Sequence, residues 1–270
     1  LLDQLKSGAR YFDCRATTFN GPSYFVHANS EAVVISERVG QPYEQSLRDI
    51  LSFITSNPTE ILIMDYQHTW KSSEKTIISQ LVNILGNKIL TISEMKGKTI
   101  ADLTLGDIYA TGKNIVVIYH EPPSDIPADQ QNKLINREAY LQSDYDSGIH
   151  NGSDQGLINQ FTVYLNNRNP AKINVLQSQK TGGNIKNAER DFRPLVNKFD
   201  RGLKNKPDFL SKVNIIMRDY YADDIGGEAA IDTHRSIIFL NLFKGHIKED
   251  VTPIFKVLIS YDWINSLSAE

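Results

Sequence analysis

The chain has 270 residues, 40% of them hydrophobic and 23% charged, which excludes a disordered, collagen-like or coiled-coil chain. With 29 Lys+Arg against 32 Asp+Glu the net charge is −3, so bulk charge does not hold nucleic acid phosphates. The single cysteine, Cys14, excludes an intramolecular disulfide framework and a Cys-rich zinc site.

In chain order, Leu1-Leu2-Asp3 reads as the inside of a helix, with no charged-then-apolar signal sequence. Strands are predicted over Arg10–Ala16 and Ser23–Ala28, then a helix over Tyr43–Ser56 with Leu47, Ile50, Leu51 and Ile54 on one face. A strand over Glu60–Tyr66 precedes a helix over Glu74–Leu85, whose face carries Ile77, Ile78, Leu81, Val82 and Leu85. After a strand over Asn114–His120, the proline-rich stretch Glu121–His150 reads as a long surface connection with one helix in it. A helix starts at Ser153 and ends before Asn169-Pro170, and strands follow over Lys172–Ser178 and Val213–Asp219. Ala229–Phe243 carries a last helical period, and His246–Glu270 is apolar enough to form a packed helix pair. Several strands are apolar almost throughout, as parallel strands covered on both faces are. Strands alternating with helices and no composition break make one α/β domain, and no apolar run approaches the length of a membrane span.

Dinucleotide, P-loop, zinc-protease and nucleophile-elbow signatures are absent, and the six histidines show no zinc-ligand spacing. What the sequence does show is charge inside strands. Asp13 and Arg15 are two residues apart and so face the same way, while Cys14 points to the opposite, core side. His27 follows Tyr24-Phe25-Val26, Asp65 closes Ile61–Met64 with His68 just beyond, and Asp219 closes Ile215-Ile216-Met217. Ionisable residues at strand ends are where barrel active sites are built, and buried charge needs a partner. Trp70, next to Lys71, reads equally as an interfacial anchor or as a lid over its own element.

The blocks GARYFDCRA, YFVHAN, NPTEILIMDYQH, GKNIVVIYH, INVLQSQKTGG and VNIIMRDYY together resemble the X-domain of phosphatidylinositol-specific phospholipases C. The likeness is strongest to the bacterial and X-domain-only branch. It implies a single-domain distorted TIM-type (β/α) barrel over residues 1–245, followed by a helical extension, residues 246–270, packed on it. It implies cleavage of phosphatidylinositol to diacylglycerol and inositol cyclic phosphate by histidine acid/base catalysis. His27 stands at the family's general acid, Asp219 at the carboxylate that orients the base histidine, and Asp13 beside Arg15. An arginine at position 15 matches the metal-free enzymes, where the calcium-dependent ones carry an acidic ligand, so no cofactor is expected and Ca2+ is the alternative. Gln177, Gln179 and Tyr221 fall at inositol-contacting positions, with Asp65, His68 and Lys113 as further candidates. The resemblance implies a phosphatidylinositol-containing membrane surface as partner, no nucleic acid, and a secreted or peripheral location. The family's base histidine lies in a Gly-Thr-His-Asp/Asn-Ser segment upstream of the first matching block, so the first strand is expected to be missing from this chain. Two other classes remain open from the residues: a non-catalytic phosphoinositide-binding module, and a metal-dependent glycerophosphodiester phosphodiesterase barrel.

Overall fold

Period-two burial along Tyr11–Thr18 makes the first strand two-sided, with Phe12, Cys14 and Ala16 buried on one face and Tyr11, Asp13 and Arg15 on the other. A computed structural model describes residues 1–6, 8–26, 39–70, 73–144, 154–177 and 214–217. In chain order these form α1 (Leu2–Lys6), β1 (Tyr11–Thr18), β2 (Ser23–Val26), β3 (Val39–Pro42), α2 (Tyr43–Ser56), β4 (Leu62–Thr69), α3 (Glu74–Leu85), α4 (Leu105–Tyr109) and β5 (Ile115–Tyr119). Then follow α5 (Ala128–Gln131), β6 (Ile135–Asn136), α6 (Arg137–Tyr140), β7 (Leu141–Ser143), α7 (Asp154–Asn166), β8 (Ile173–Gln177) and β9 (Ile215–Met217).

The strands lie in two sheets, β3-β2-β1-β4-β5-β6 and β7-β8-β9. Pairing is parallel from β1 through β4 and β5 to β6, and parallel throughout the second sheet. The family resemblance implies a TIM-type barrel, but among the described residues the two sheets do not close into a hydrogen-bonded barrel. The ladder breaks where the one-turn α6 intervenes between β6 and β7. The inner faces are nevertheless joined by packing. Val116, Ile118 and Ile135 of the first sheet share one apolar cluster with Leu141, Ile173 and Val175 of the second.

The outer face of the first sheet is covered by α2 and α3. Leu47, Ile50 and Ile54 of α2, and Ile77, Ile78, Leu81 and Leu85 of α3, are fully buried with Cys14, Met64, Tyr66 and Val117. Each such aliphatic side chain contributes about 1.5–3 kcal/mol by leaving water, so this layer fixes the sheet on which the inner-face charges stand. Both helices have the bounds their apolar period predicts.

Two expectations need correction. β2 is antiparallel to β1, with Ala16 opposite Phe25 and Thr18 opposite Ser23. The reason is the Asn20-Gly21 turn, whose φ of 51° and 102° is the left-handed pair that folds a tight hairpin. The stretch after β5 is more than a connection with one helix: up to Asp144 it contributes α5, β6, α6 and β7. The helices expected at 229–243 and 246–270 lie outside the described residues.

Candidate functional site

Asp13 and Arg15 share the inner face of β1, with Arg15 Nη2 3.5 Å from Asp13 Oδ2 and only 17% and 21% of the two side chains exposed. Asp65 is the β4 partner of Asp13 and faces the same way. His68 reaches this face by an irregularity. Three residues from Asp65, it would point outward in strict alternation, but the register slips between Cys14 and Arg15, so that Arg15 partners His68 and Gln67 is skipped.

Arg137, the first residue of α6, completes the group. Its Nε lies 3.3 Å from both carboxylate oxygens of Asp65, and the Tyr11 hydroxyl donates to Asp65 Oδ2 at 2.6 Å. Asp65 is fully buried and the Arg137 side chain is 8% exposed. Glu138 Oε1 then lies 3.8 Å from Arg137 Nη1 and 3.5 Å from His120 Nδ1. The His120 ring meets His68 edge-on, with centroids 6.0 Å apart. The inner face thus carries a fully buried carboxylate, Asp65, and a part-exposed one, Asp13, each with a guanidinium, leading to a pair of imidazoles nearer solvent.

Burial pushes the Asp13 carboxyl up to about 6; Arg15 pulls it back and the charge of Asp65 adds to the rise. Burial also raises Asp65, against the pull of Arg137 and the Tyr11 hydrogen bond. His68 is held below the usual imidazole range by burial first and then by Arg15, His120 and Arg137. Asp13 Oδ1 is buried and accepts no hydrogen bond among the described residues.

The Asp13 shift has a definite sign for stability. Because the folded-state value of about 6 lies above the ordinary 3.8, the folded chain binds more protons than the unfolded chain between those limits. Stability from this group is therefore greatest below pH 3.8 and falls as pH rises through about 6. The stability of Asp13→Asn relative to wild type is expected to increase by about 1–3 kcal/mol between pH 4 and 7, read by urea unfolding. A difference that does not change with pH would show that Asp13 titrates normally.

Of the other expected site residues, Gln177 ends β8 and is 2% exposed. Its backbone N–H donates to Asp144 Oδ1 at 2.7 Å and its Nε2 to Ser143 Oγ at 2.9 Å, so it ties β8 to β7. Lys113 is not brought to the cluster: it precedes β5, at the end opposite His120, and its Nζ donates to the Asn87 carbonyl at 3.0 Å. His27, Asp219, Gln179 and Tyr221 lie outside the described residues. Cys14 sits in the core, where burial pushes its thiol well up, in keeping with a packing role. Trp70 packs on Val26 of β2, as does Tyr24.

Sequence reading missed Arg137, Tyr11, His120 and Glu138 as site residues. The Arg137-Glu138 pair stands in a polar stretch with no period to mark it. Tyr11, though, shares the two-residue spacing that singled out Asp13 and Arg15.

No family model matches the chain. Over 123 residues, 44% of this chain, it is 28% identical to the human PI-PLC X domain-containing protein 2. The match takes in 37% of that protein, so the chain spans little more than a third of this curated relative. Among solved structures, phosphatidylinositol-specific phospholipase C from Staphylococcus aureus (an F249X mutant) superposes with a TM-score of 0.59 at 15% identity, over 87% of this chain and 82% of that one. The phosphatidylinositol-specific phospholipase C from Listeria monocytogenes gives 0.58 at 19% identity, over 87% and 81%. The likeness to the PI-PLC X-domain holds in both sequence and fold. Within that X-domain-like fold, the Asp13–Arg15 and Asp65–Arg137 pairs lie on neighbouring strands of the inner face. No helix among the described residues is long and apolar enough to cross a membrane.

Proposed function

We propose that the protein is a phosphoric diester hydrolase of the phosphatidylinositol-specific phospholipase C type that works without a metal ion. The observation that carries this reading is the Arg15 guanidinium, held 3.5 Å from Asp13 on the inner face. A fixed positive charge in a half-dry site stabilises the extra negative charge that builds on phosphate oxygens during displacement. The carboxylates Asp13 and Asp65 each already face a guanidinium, which fits a phosphate site better than a calcium cage.

In the proposed reaction the inositol 2-hydroxyl oxygen forms a bond to phosphorus as the phosphorus–glycerol oxygen bond breaks. The hydroxyl proton passes to a histidine base of the kind that Asp219 orients in the family. His27 gives a proton to the leaving glycerol oxygen, releasing diacylglycerol and leaving inositol cyclic phosphate. β2 ends at Val26, and His27 is the next residue in the sequence. Asp13 Oδ1, buried and without a donor among the described residues, is suited to accept from the imidazole. Gln177, Gln179 and Tyr221 would contact the inositol ring, and the substrate would be met at a phosphatidylinositol-containing membrane surface by a secreted or peripheral protein.

His27→Ala in the full-length protein is expected to lower turnover of phosphatidylinositol about 10²–10⁴-fold with vesicle binding unchanged. Near wild-type turnover in that variant would remove His27 from the mechanism.

A further inference from the structure

Asp13 and Asp65 are cross-strand partners on adjacent parallel strands, so a largely buried and a fully buried carboxylate stand about 5 Å apart at the backbone and face the same side. Two such groups cannot both be charged in a dry site without counter-ions. The structure supplies them unequally. Asp65 accepts two hydrogen bonds on Oδ2, from Arg137 Nε at 3.3 Å and from Tyr11 at 2.6 Å, and the same Nε lies 3.3 Å from Oδ1, which accepts no hydrogen bond among the described residues. A hydrogen bond to a carboxylate as short as that from Tyr11 favours its ionised form. Asp13 has the longer contact, Arg15 Nη2 at 3.5 Å from its Oδ2, and like Asp65 it has one oxygen without a donor among the described residues. The other groups facing this pair are Cys14 behind it on β1, His68 on β4 beyond Arg15, and Glu138 beside Arg137 on α6.

We propose that Arg137 is a positioning residue: with Tyr11 it keeps the negative charge on Asp65 and so makes Asp13 the one member of the carboxylate pair that exchanges a proton. Arg137 does this from the one-turn helix at the break between the two sheets, so the proton state of β1 depends on a residue of another element. The titration itself is independent of any reaction; its consequence for turnover rests on the phospholipase reading above.

The test is NMR of carboxyl-labelled aspartate in the full-length protein, with the Asp13 signal assigned by its loss in Asp13→Asn. The wild type is expected to show Asp13 titrating in the weakly acidic range and Asp65 staying ionised through it. In Asp65→Asn the Asp13 midpoint is expected to fall by about one pH unit, since a like charge is removed. In Arg137→Met the pair is expected to hold one shared proton to a pH about one unit or more higher, and Arg137→Lys is expected to restore the wild-type midpoint. If Arg137→Met does not fold, Asp65→Asn decides alone. An Asp13 midpoint that is the same in wild type and Asp65→Asn, or an Asp65 that takes up its proton before Asp13, overturns the proposal. Midpoints that move as stated while the acid limb of turnover stays in place support the proposal and count against the phospholipase roles instead.

Discussion

Replacing Arg15 by methionine is expected to lower turnover of phosphatidylinositol by about 10³–10⁵-fold, the range in which a guanidinium stabilises a phosphoryl transition state. The expectation comes from the desolvation of the pair. With the Arg15 side chain 17% exposed and its neighbour Asp13 21% exposed, little water is present to screen the charge that develops on the phosphate. Lysine at position 15 keeps the charge but loses the planar fork, so Arg15→Lys should recover only part of the loss. The variant's unfolding midpoint must be measured alongside, because methionine also leaves Asp13 without its cation. Turnover within tenfold of wild type in a folded Arg15→Met protein would take Arg15 out of the phosphate site.

The second large effect concerns the fold. Arg137→Met should destabilise the protein by about 3–5 kcal/mol, because it leaves the fully buried Asp65 charge without the guanidinium that faces it. The loss should shrink as pH is lowered and Asp65 takes up a proton, since a neutral carboxyl is much cheaper to bury. The double variant Asp65→Asn/Arg137→Met removes both charges and should recover a large part of the loss. Urea unfolding across a pH series checks all three statements. A pH-independent loss no greater than that of a surface substitution would mean that the pair is not desolvated as described.

The helices α2 and α3 and the cores of β1, β4, β5 and β8 were legible because each carries its own period: 3.6 in the helices, a continuous or alternating apolar run in the strands. The Asp13–Arg15 pair was legible for the same reason, two residues on one strand sharing a face. What escaped depends on contacts between distant segments. Arg137 is 72 residues from Asp65 in sequence, and nothing in its polar neighbourhood signals that it turns inward. His68 belongs to the inner face only because the register slips at Gln67, which no alternation rule foresees. The antiparallel β2 was readable in principle, since Asn20-Gly21 between two strand-like runs is a hairpin signal. Lys113 was proposed from the block that contains it, but the direction of β5 sets it at the far end from His120. The break between β6 and β7 has no local signature at all: two very short strands flank a single turn of helix, and only the sheet partners reveal where the ladder stops.

The most direct test of the central claim is phosphorus NMR of the full-length protein acting on phosphatidylinositol micelles in excess EDTA. Accumulation of inositol cyclic phosphate in the chelator, unchanged by added calcium, is the expected result. No product in EDTA, with turnover appearing only on addition of calcium, would contradict the role given to Arg15 and with it the metal-free reading of the site.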